Sequence, residues 1–340
     1  MAISKDHRSV TRADVARYAG VSTAVVSYVV NNGPRPVAPE TAARVREAVR
    51  VLRYRPNLNA RALKQGNSHT LGLVMIDSLN PFFAELGKAI EGAAAAHGQR
   101  MLVADSHDDP ELEKQLVTEL LGRRVDGLLL VSSLRRTNAS TVLPVEGTPV
   151  VLLDCLSPIH GYHTIGPDAL GGAVTAVRHL VHDHGRRHVA LVIGPENVAA
   201  PDARGLGWER TLQDAGLPQG PKVVDDWTAA GGHRAARTLL AGTAPLDSIF
   251  VSSDAQAVGV LHALHEAGID VPRDCPVVSF DGTQYSGWAW PPLTSVRQPV
   301  EAMAQTALKL IHNPTTPPVD HRFETELIVR TSCGCHGGTA

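Results

Sequence analysis

The sequence predicts an α/β protein in which a small helical unit precedes a two-lobed core of parallel sheets. Three observations predict it. From Leu71 onward, short β-branched or aliphatic runs alternate with amphipathic helical stretches, the rhythm of strand–helix–strand units that build parallel sheets. The strands fall into two groups separated near Ile165–Asp168, which implies two similar lobes. The first 66 residues lack this rhythm and carry 12 Lys and Arg against 4 Asp and Glu, whereas the rest of the chain carries 20 against 30. The basic charge is thus segregated at one end of a chain whose net charge is only −2, and 340 residues are enough for two or three compact units.

In the first unit, Thr11-Arg12-Ala13-Asp14 has the spacing of a capping box and starts a helix whose apolar side is Val15, Ala16 and Ala19. Gly20 permits a tight turn, and Ser22 caps a second helix. That helix buries Val26, Val29 and Val30 and turns Thr23, Ala24, Ser27, Tyr28 and Asn31 outward, a small and polar face suited to close approach. A third helix begins at about Pro39, with Val45, Ala48, Val49 and Leu52 at core spacing and Arg44, Arg46, Arg50, Arg53 and Arg55 around it. Basic charge beside such a face points to a polyanion such as DNA, although composition alone leaves that even with a solvated basic surface.

In the core, strands are expected at Leu71–Ile76, Arg100–Ala104, Gly127–Val131, Val150–Leu153, His188–Ile193, Ser248–Val251 and Pro276–Phe280. Helices between and after them include Phe82–His97, Leu112–Arg123, Asp168–Asp183, Ala255–Ala267 and Val300–Ile311. Ligands of open α/β sheets settle beyond the carboxyl ends of the strands. The loops leaving those ends hold Asp77 to Phe83, Asp154, Arg204 to Trp208, Asp226-Trp227, Ser253-Asp254, Asp281-Gly282 and the crossover from Pro291 to Gln298.

The run from Thr11 to Ser22, followed by Val25-Val26-Ser27, Asn31, Tyr54-Arg55-Pro56-Asn57 and Ala60-Arg61-Ala62-Leu63, resembles the helix-turn-helix and hinge of the lactose-repressor/galactose-repressor (LacI/GalR) family. The resemblance implies that the second helix enters the major groove, with Thr23, Ala24 and Tyr28 as base readers. It casts Ser22, Ser27 and Asn31 as phosphate or turn contacts and puts Thr11 on the DNA-binding face. Asn57, Ala60, Arg61, Leu63 and Lys64 fall on a hinge helix too short to be stable alone, whose pairing on DNA brings the Leu63 wedge into the minor groove. Tyr28 stands where many relatives carry Arg, and Ala24 offers only a methyl group, so a bidentate arginine–guanine contact is missing there.

The resemblance extends to a periplasmic-binding-protein-like core. Its implied effector site comprises Phe82, Phe83, Asp154, Arg204, Trp227, Ser253, Asp281 and Gln298. Their chemistry suits a polyhydroxylated ligand: carboxylates accept from hydroxyls, Arg204 donates in a fork, and aromatics pack on a ring. Ser253 replaces a residue that is Asn in many relatives, and Asp254 reads as a cap of the helix starting at Ala255.

The expected domains are residues 1–56, the DNA reader; 57–67, the hinge; 68–166 with 299–316, the first core lobe; 167–298 with 317–332, the second; and 333–340, a tail. The expected protein is a cytoplasmic homodimeric transcription regulator that binds a near-palindromic operator in double-stranded DNA and a sugar, glycoside or nucleoside effector. Induction and corepression remain equally open. A transport-system sugar-binding protein shares the core but needs a signal peptide in place of the DNA reader. An α/β enzyme is disfavoured because neither a Gly-x-x-x-x-Gly-Lys loop nor a Gly-x-Gly-x-x-Gly turn follows a strand, so no catalytic residue or cofactor is expected. No membrane span is expected. Nor is a metal site: the histidines at 179, 182, 184 and 188 flank a helix exit, and Cys333-Gly334-Cys335-His336 supplies only three ligands on a Gly-rich tail.

Overall fold

The computed structural model describes residues 10–31, 33, 35–55, 67–132, 147–155, 158–195, 201–313 and 317–335. The chain divides into two compact units, Met1–Ser68 and His69–Ala340.

The first unit holds three helices, α1 (Arg12–Ala19), α2 (Thr23–Val30) and α3 (Pro39–Val51). The capping box of α1 is complete: Asp14 N donates to Thr11 Oγ1 at 3.3 Å, and Thr11 N donates back to Asp14 Oδ2 at 2.9 Å. Gly20 closes the helix in the left-handed region at φ 65°. Ser22 Oγ accepts from Val25 N and starts α2. Val15, Ala16, Ala19, Val26, Val45, Ala48 and Tyr54 form the buried centre, with Val29, Val30, Val49 and Leu52 packed at its margin. The predicted apolar faces of all three helices thus meet in one core.

The second unit is built on two six-stranded sheets. The first has the order β11-β5-β4-β3-β1-β2, from β1 (Thr70–Met75), β2 (Arg100–Asp105), β3 (Gly127–Val131), β4 (Val150–Leu153), β5 (His163–Pro167) and β11 (Asp320–Phe323). The second has the order β12-β10-β9-β8-β6-β7, from β6 (Val189–Ile193), β7 (Lys222–Val224), β8 (Ser248–Val251), β9 (Val277–Asp281), β10 (Thr294–Arg297) and β12 (Glu326–Ile328). Every pairing is parallel except that of β10 with β12. Central strands such as β3, β6 and β9 are buried throughout, as continuous apolar runs covered by helices on both faces require.

Helices α4 (Pro81–Ala96), α5 (Pro110–Gly122) and α10 (Val300–His312) accompany the first sheet; α6 (Ala169–Arg178), α7 (Ala203–Asp214), α8 (Ala229–Ala241) and α9 (Asp254–Glu266) accompany the second. Phe82, Leu86, Ile90, Met303, Ala307 and Leu308 join one core, and Ala173, Val177, Trp208, Phe250 and Phe280 join another.

Three expectations need correction. Residues 317–332 do not all belong to the second lobe, because Asp320–Phe323 pairs with β5 on the first sheet and only Glu326–Ile328 joins the second. The free edge of β5 takes the returning chain, and Thr164 Oγ1 donates to Asp320 Oδ1 at 2.5 Å. The predicted helix Asp168–Asp183 is α-helical only to Arg178 and continues as a π-helix over His179–Asp183. The Gly-rich tail is not loose at its start: residues 331–334 form a turn in which Cys333 is fully buried.

Candidate functional site

In the first unit, α2 presents Ser22, Thr23 and Ala24 as exposed residues, with Ser27, Tyr28 and Asn31 half-buried beside them. Asn31 Nδ2 donates to Ser27 Oγ at 3.1 Å, which fixes both side chains on one face. Thr11 is exposed, yet its hydroxyl is engaged by Asp14 at 2.6 Å, so it serves α1 first. Arg44, Arg46, Arg50, Arg53 and Arg55 are all exposed. Arg50 forms an ion pair with Glu47 at 2.5 Å; the others have none among the described residues. Asn57, Ala60, Arg61, Leu63 and Lys64 lie outside the described residues.

In the second unit, loops from both sheets surround a cavity of roughly 350 Å³. The first lobe contributes Asp77 and Asn80 after β1, Phe82 and Phe83 at the start of α4, His107 and Asp108 after β2, and Asp154 after β4. The second contributes Arg204 at the start of α7, Asp226 and Trp227 after β7, Ser253 after β8 and Asp281 at the end of β9. All stand at or just beyond carboxyl ends of strands, where an open α/β sheet leaves room for a ligand.

Local structure sets each group. Asn80 Oδ1 accepts from Phe82 N at 3.0 Å, so the cap of α4 turns Phe82 and Phe83 into the cavity wall as an edge-on pair with centroids 5.2 Å apart. Asp202 caps α7 and also grips Arg204 with both oxygens, at 2.9 Å to Nε and 2.6 Å to Nη2, while Arg204 Nη1 donates to Ser252 O at 2.8 Å. Burial works against the guanidinium charge, and the Asp202 carboxylate overrides it. The guanidinium carbon stands 4.5 Å from the centre of the Trp227 ring. That indole lies so close to Gly194, after β6, that any side chain there would collide with it.

Asp281 adopts φ 109°, a backbone region unfavourable to an L-residue, and is buried. Its carboxylate accepts from Asp254 N at 3.2 Å and from Gln298 Nε2 at 3.0 Å. Burial, and then the neighbouring Asp254 charge, push its pKa well above the usual aspartate range. Asp154 has φ 54° and lines the same cavity from the first lobe.

Two expected contacts sit differently. Gln298 does not line the cavity; it stands behind Asp281 and orients it. Ser253 borders the cavity, but its hydroxyl is the cap of α9, accepting from Gln256 N at 3.2 Å. Asp254 is therefore not the cap but the first residue of α9. It is buried and accepts from the hydroxyls of Ser279, Ser295 and Thr283 at 2.6, 2.7 and 2.8 Å. Among residues the sequence reading left out, Asp77, Asn80 and Asp226 lay in loops already singled out. His107 and Asp108 lie in the loop after β2, which the strand-end rule also covers.

Comparison with known proteins bears on both units. The family described as bacterial regulatory proteins, lacI family, matches residues 11–57, and the periplasmic binding protein-like domain matches residues 177–333. The chain is 33% identical over 317 residues to the ribose operon repressor of Escherichia coli (strain K12), covering 92% of this chain and 95% of that one. The lac repressor dimer bound to operator and the anti-inducer ONPF superposes with a TM-score of 0.80 at 27% identity, over 96% of this chain and 99% of that one. The complex of the transcriptional regulator CelR with cellobiose gives a TM-score of 0.70 at 30% identity, over 95% and 99%. No helix among the described residues is long and apolar enough to cross a membrane.

Proposed function

The chain belongs to the lacI family of bacterial regulatory proteins, and from that premise we propose that the cavity between its two sheets takes a neutral polyhydroxylated effector that sets its grip on operator DNA. It is a sequence-specific DNA-binding transcription regulator with a small-molecule effector, and not an enzyme. The observation that carries the effector assignment is that Asp154 from the first lobe and Asp281 from the second line one cavity together with Arg204, Phe82, Phe83 and Trp227.

Charge narrows the ligand class. Among the described lining residues carboxylates outnumber cations, and the single guanidinium is already engaged by the Asp202 carboxylate. Carboxylates accept hydrogen bonds from hydroxyls but repel phosphate and carboxylate groups. A sugar, glycoside or nucleoside therefore fits better than a sugar phosphate. The faces of Phe82, Phe83 and Trp227 offer apolar surface to the CH side of a ring. The similar regulator CelR is bound to a neutral sugar, cellobiose, which agrees in kind.

On the DNA side, Thr23, Ala24 and Tyr28 are the base readers, while Ser22, Ser27, Asn31 and the arginines of α3 hold phosphates. Two copies bind two half-sites of a near-palindromic operator, as the lac repressor dimer binds its operator. Effector binding shifts the relation of the lobes and with it the pairing of the hinges, so its coupling to DNA affinity is reciprocal. A thermal-shift screen of neutral sugars, glycosides, nucleosides and sugar phosphates tests the ligand class, because a bound effector raises apparent stability by mass action. Stabilisation by a neutral polyol that also changes operator affinity in fluorescence anisotropy supports the reading. Stabilisation by sugar phosphates alone overturns it.

A further inference from the structure

A second side-chain cluster lies outside the effector cavity, in the second lobe, where the chain end meets the helix that follows β5. His179, His184, Cys333 and Cys335 place one ligand atom each within 4.8 Å of every other. We propose that these four residues form a closed structural metal site that takes one zinc ion and pins the C-terminal segment to the second lobe.

The distances suit tetrahedral coordination. Metal–nitrogen bonds of about 2.05 Å and metal–sulfur bonds of about 2.3 Å set tetrahedral edges near 3.3 Å for N···N and 3.5 Å for N···S. The two histidine Nε2 atoms are 3.2 Å apart, and Cys335 Sγ lies 3.4 Å from His184 Nε2 and 3.8 Å from His179 Nε2. The two rings meet edge to face, at 85° with centroids 4.7 Å apart, and are not stacked.

The backbone is shaped to bring the four together. Residues five apart on an α-helix point to different sides, whereas the i→i+5 turn of a π-helix brings them back over one another. His179 and His184 have that separation, and the π-helix spans His179–Asp183. On the other segment Gly334, at φ 103°, lets Cys333 and Cys335 both turn toward the histidines. Four residues separated by about 150 positions in sequence thereby share one face.

The surroundings are those of a metal site. His179 Nδ1 is held by Asp183 Oδ2 at 2.7 Å, the carboxylate–histidine arrangement that orients a ligating imidazole and leaves Nε2 for the metal. Thr294 Oγ1 donates to Cys333 Sγ at 3.1 Å, a donor suited to a thiolate. The segment is anchored besides by Ser332, which donates to Val277 O at 2.6 Å and accepts from Thr294 N at 2.8 Å. Two cysteines and two histidines with no open position match a structural zinc centre, and nothing in the cluster resembles the effector cavity.

The test uses the full chain, purified without a histidine tag or chelator in a non-thiol reductant. Elemental analysis after dialysis is expected to find one zinc per chain, and Cys335→Ser and His184→Ala are each expected to abolish it. Cobalt added to zinc-stripped protein is expected to give intense tetrahedral d–d bands together with a thiolate charge-transfer band. Far-UV circular dichroism and gel filtration at low temperature serve as the check that the second lobe of each variant still folds. Zinc at background in the untreated protein together with no cobalt bands on titration would overturn the site, as would full zinc retention in either variant.

Discussion

Arg204 lies with its guanidinium against the Asp202 carboxylate in a two-point contact, at 2.9 and 2.6 Å, while its carbon sits 4.5 Å from the centre of the Trp227 ring. One side chain thus joins the start of α7 to the aromatic wall of the cavity. Removing it by Arg204→Ala takes the guanidinium away from a buried carboxylate, a loss of a buried ion pair that costs about 3–5 kcal/mol. The expected outcome is a lower melting temperature and loss of the effector response, with operator binding retained below the melting transition. The double variant Asp202→Asn/Arg204→Ala removes the charge while keeping a side chain able to cap α7, and should recover part of the stability while still failing to respond. Thermal unfolding and anisotropy with operator DNA, run with and without effector, check both.

Asp281 supplies a pH dependence whose sign differs between stability and binding. Its pKa is raised well above the ordinary aspartate range, by burial and then by the Asp254 charge. The folded protein therefore holds this proton more tightly than the unfolded chain does. The stability it contributes is complete below the ordinary value and is lost as pH rises through the raised one. Effector hydroxyls need the ionised form as acceptor, so affinity should increase over the same interval. Asp281→Asn should flatten that profile and weaken binding by about 1.5–3 kcal/mol, roughly 10- to 150-fold. The variant without effector should lose the pH dependence of stability that this group contributes, because an amide does not titrate. Isothermal titration across the pH range, paired with melting curves, tests the two signs separately.

The parts that the sequence announced were those governed by local rules. The Thr11–Asp14 box, the Pro39 start of α3 and the apolar runs of β1, β3, β4, β6 and β8 follow from capping and periodicity, and the structure has them. Asp154, Arg204 and Asp281 were found because strand ends collect ligands in this kind of sheet. The rest depended on distant partners. Strands β7, β10, β11 and β12 are short and carry charged or polar residues instead of the continuous apolar run that marks β4 and β8; they exist because a neighbouring strand offers an edge. Gln298 and Ser253 have the chemistry of ligand contacts, and only the fold shows that one supports Asp281 and the other caps α9. His179 with His184, and Cys333 with Cys335, each fall short of a coordination set alone. Their meeting is a property of topology, which spacing rules do not see.

Trp288 and Trp290 are 86% and 90% exposed, next to Tyr285 at 55%, an unusual concentration of large apolar rings on one short stretch. In a regulator that acts as a pair of chains, an exposed aromatic stretch of this kind is a candidate for the contact between copies, and its removal tests that. Replacing both residues by Glu should convert the dimer to monomer in analytical ultracentrifugation, each substitution removing an aromatic anchor worth about 2 kcal/mol or more. Operator affinity should fall with dimerisation, while effector binding to the isolated chain stays unchanged. A fully dimeric double variant would remove this surface from consideration.

Leu63 offers the sharpest separation of specific from non-specific DNA binding, although it lies outside the described residues. Phosphate contacts by exposed arginines such as Arg44, Arg46 and Arg53 act on any duplex and weaken with salt. A wedge between two base steps gains only where the step unstacks easily, since a few kcal/mol of stacking must be offset by the contacts that the bend allows. Leu63→Ala should therefore reduce operator affinity by about 10- to 100-fold and leave affinity for random duplex, and its salt slope, within about twofold. Arg53→Ala should do the converse, lowering both affinities together and reducing the salt slope by about one. Anisotropy at several salt concentrations, on operator and on shuffled sequence, distinguishes the two patterns. Equal losses on both duplexes for Leu63→Ala would mean that the hinge holds the backbone without reading the bend.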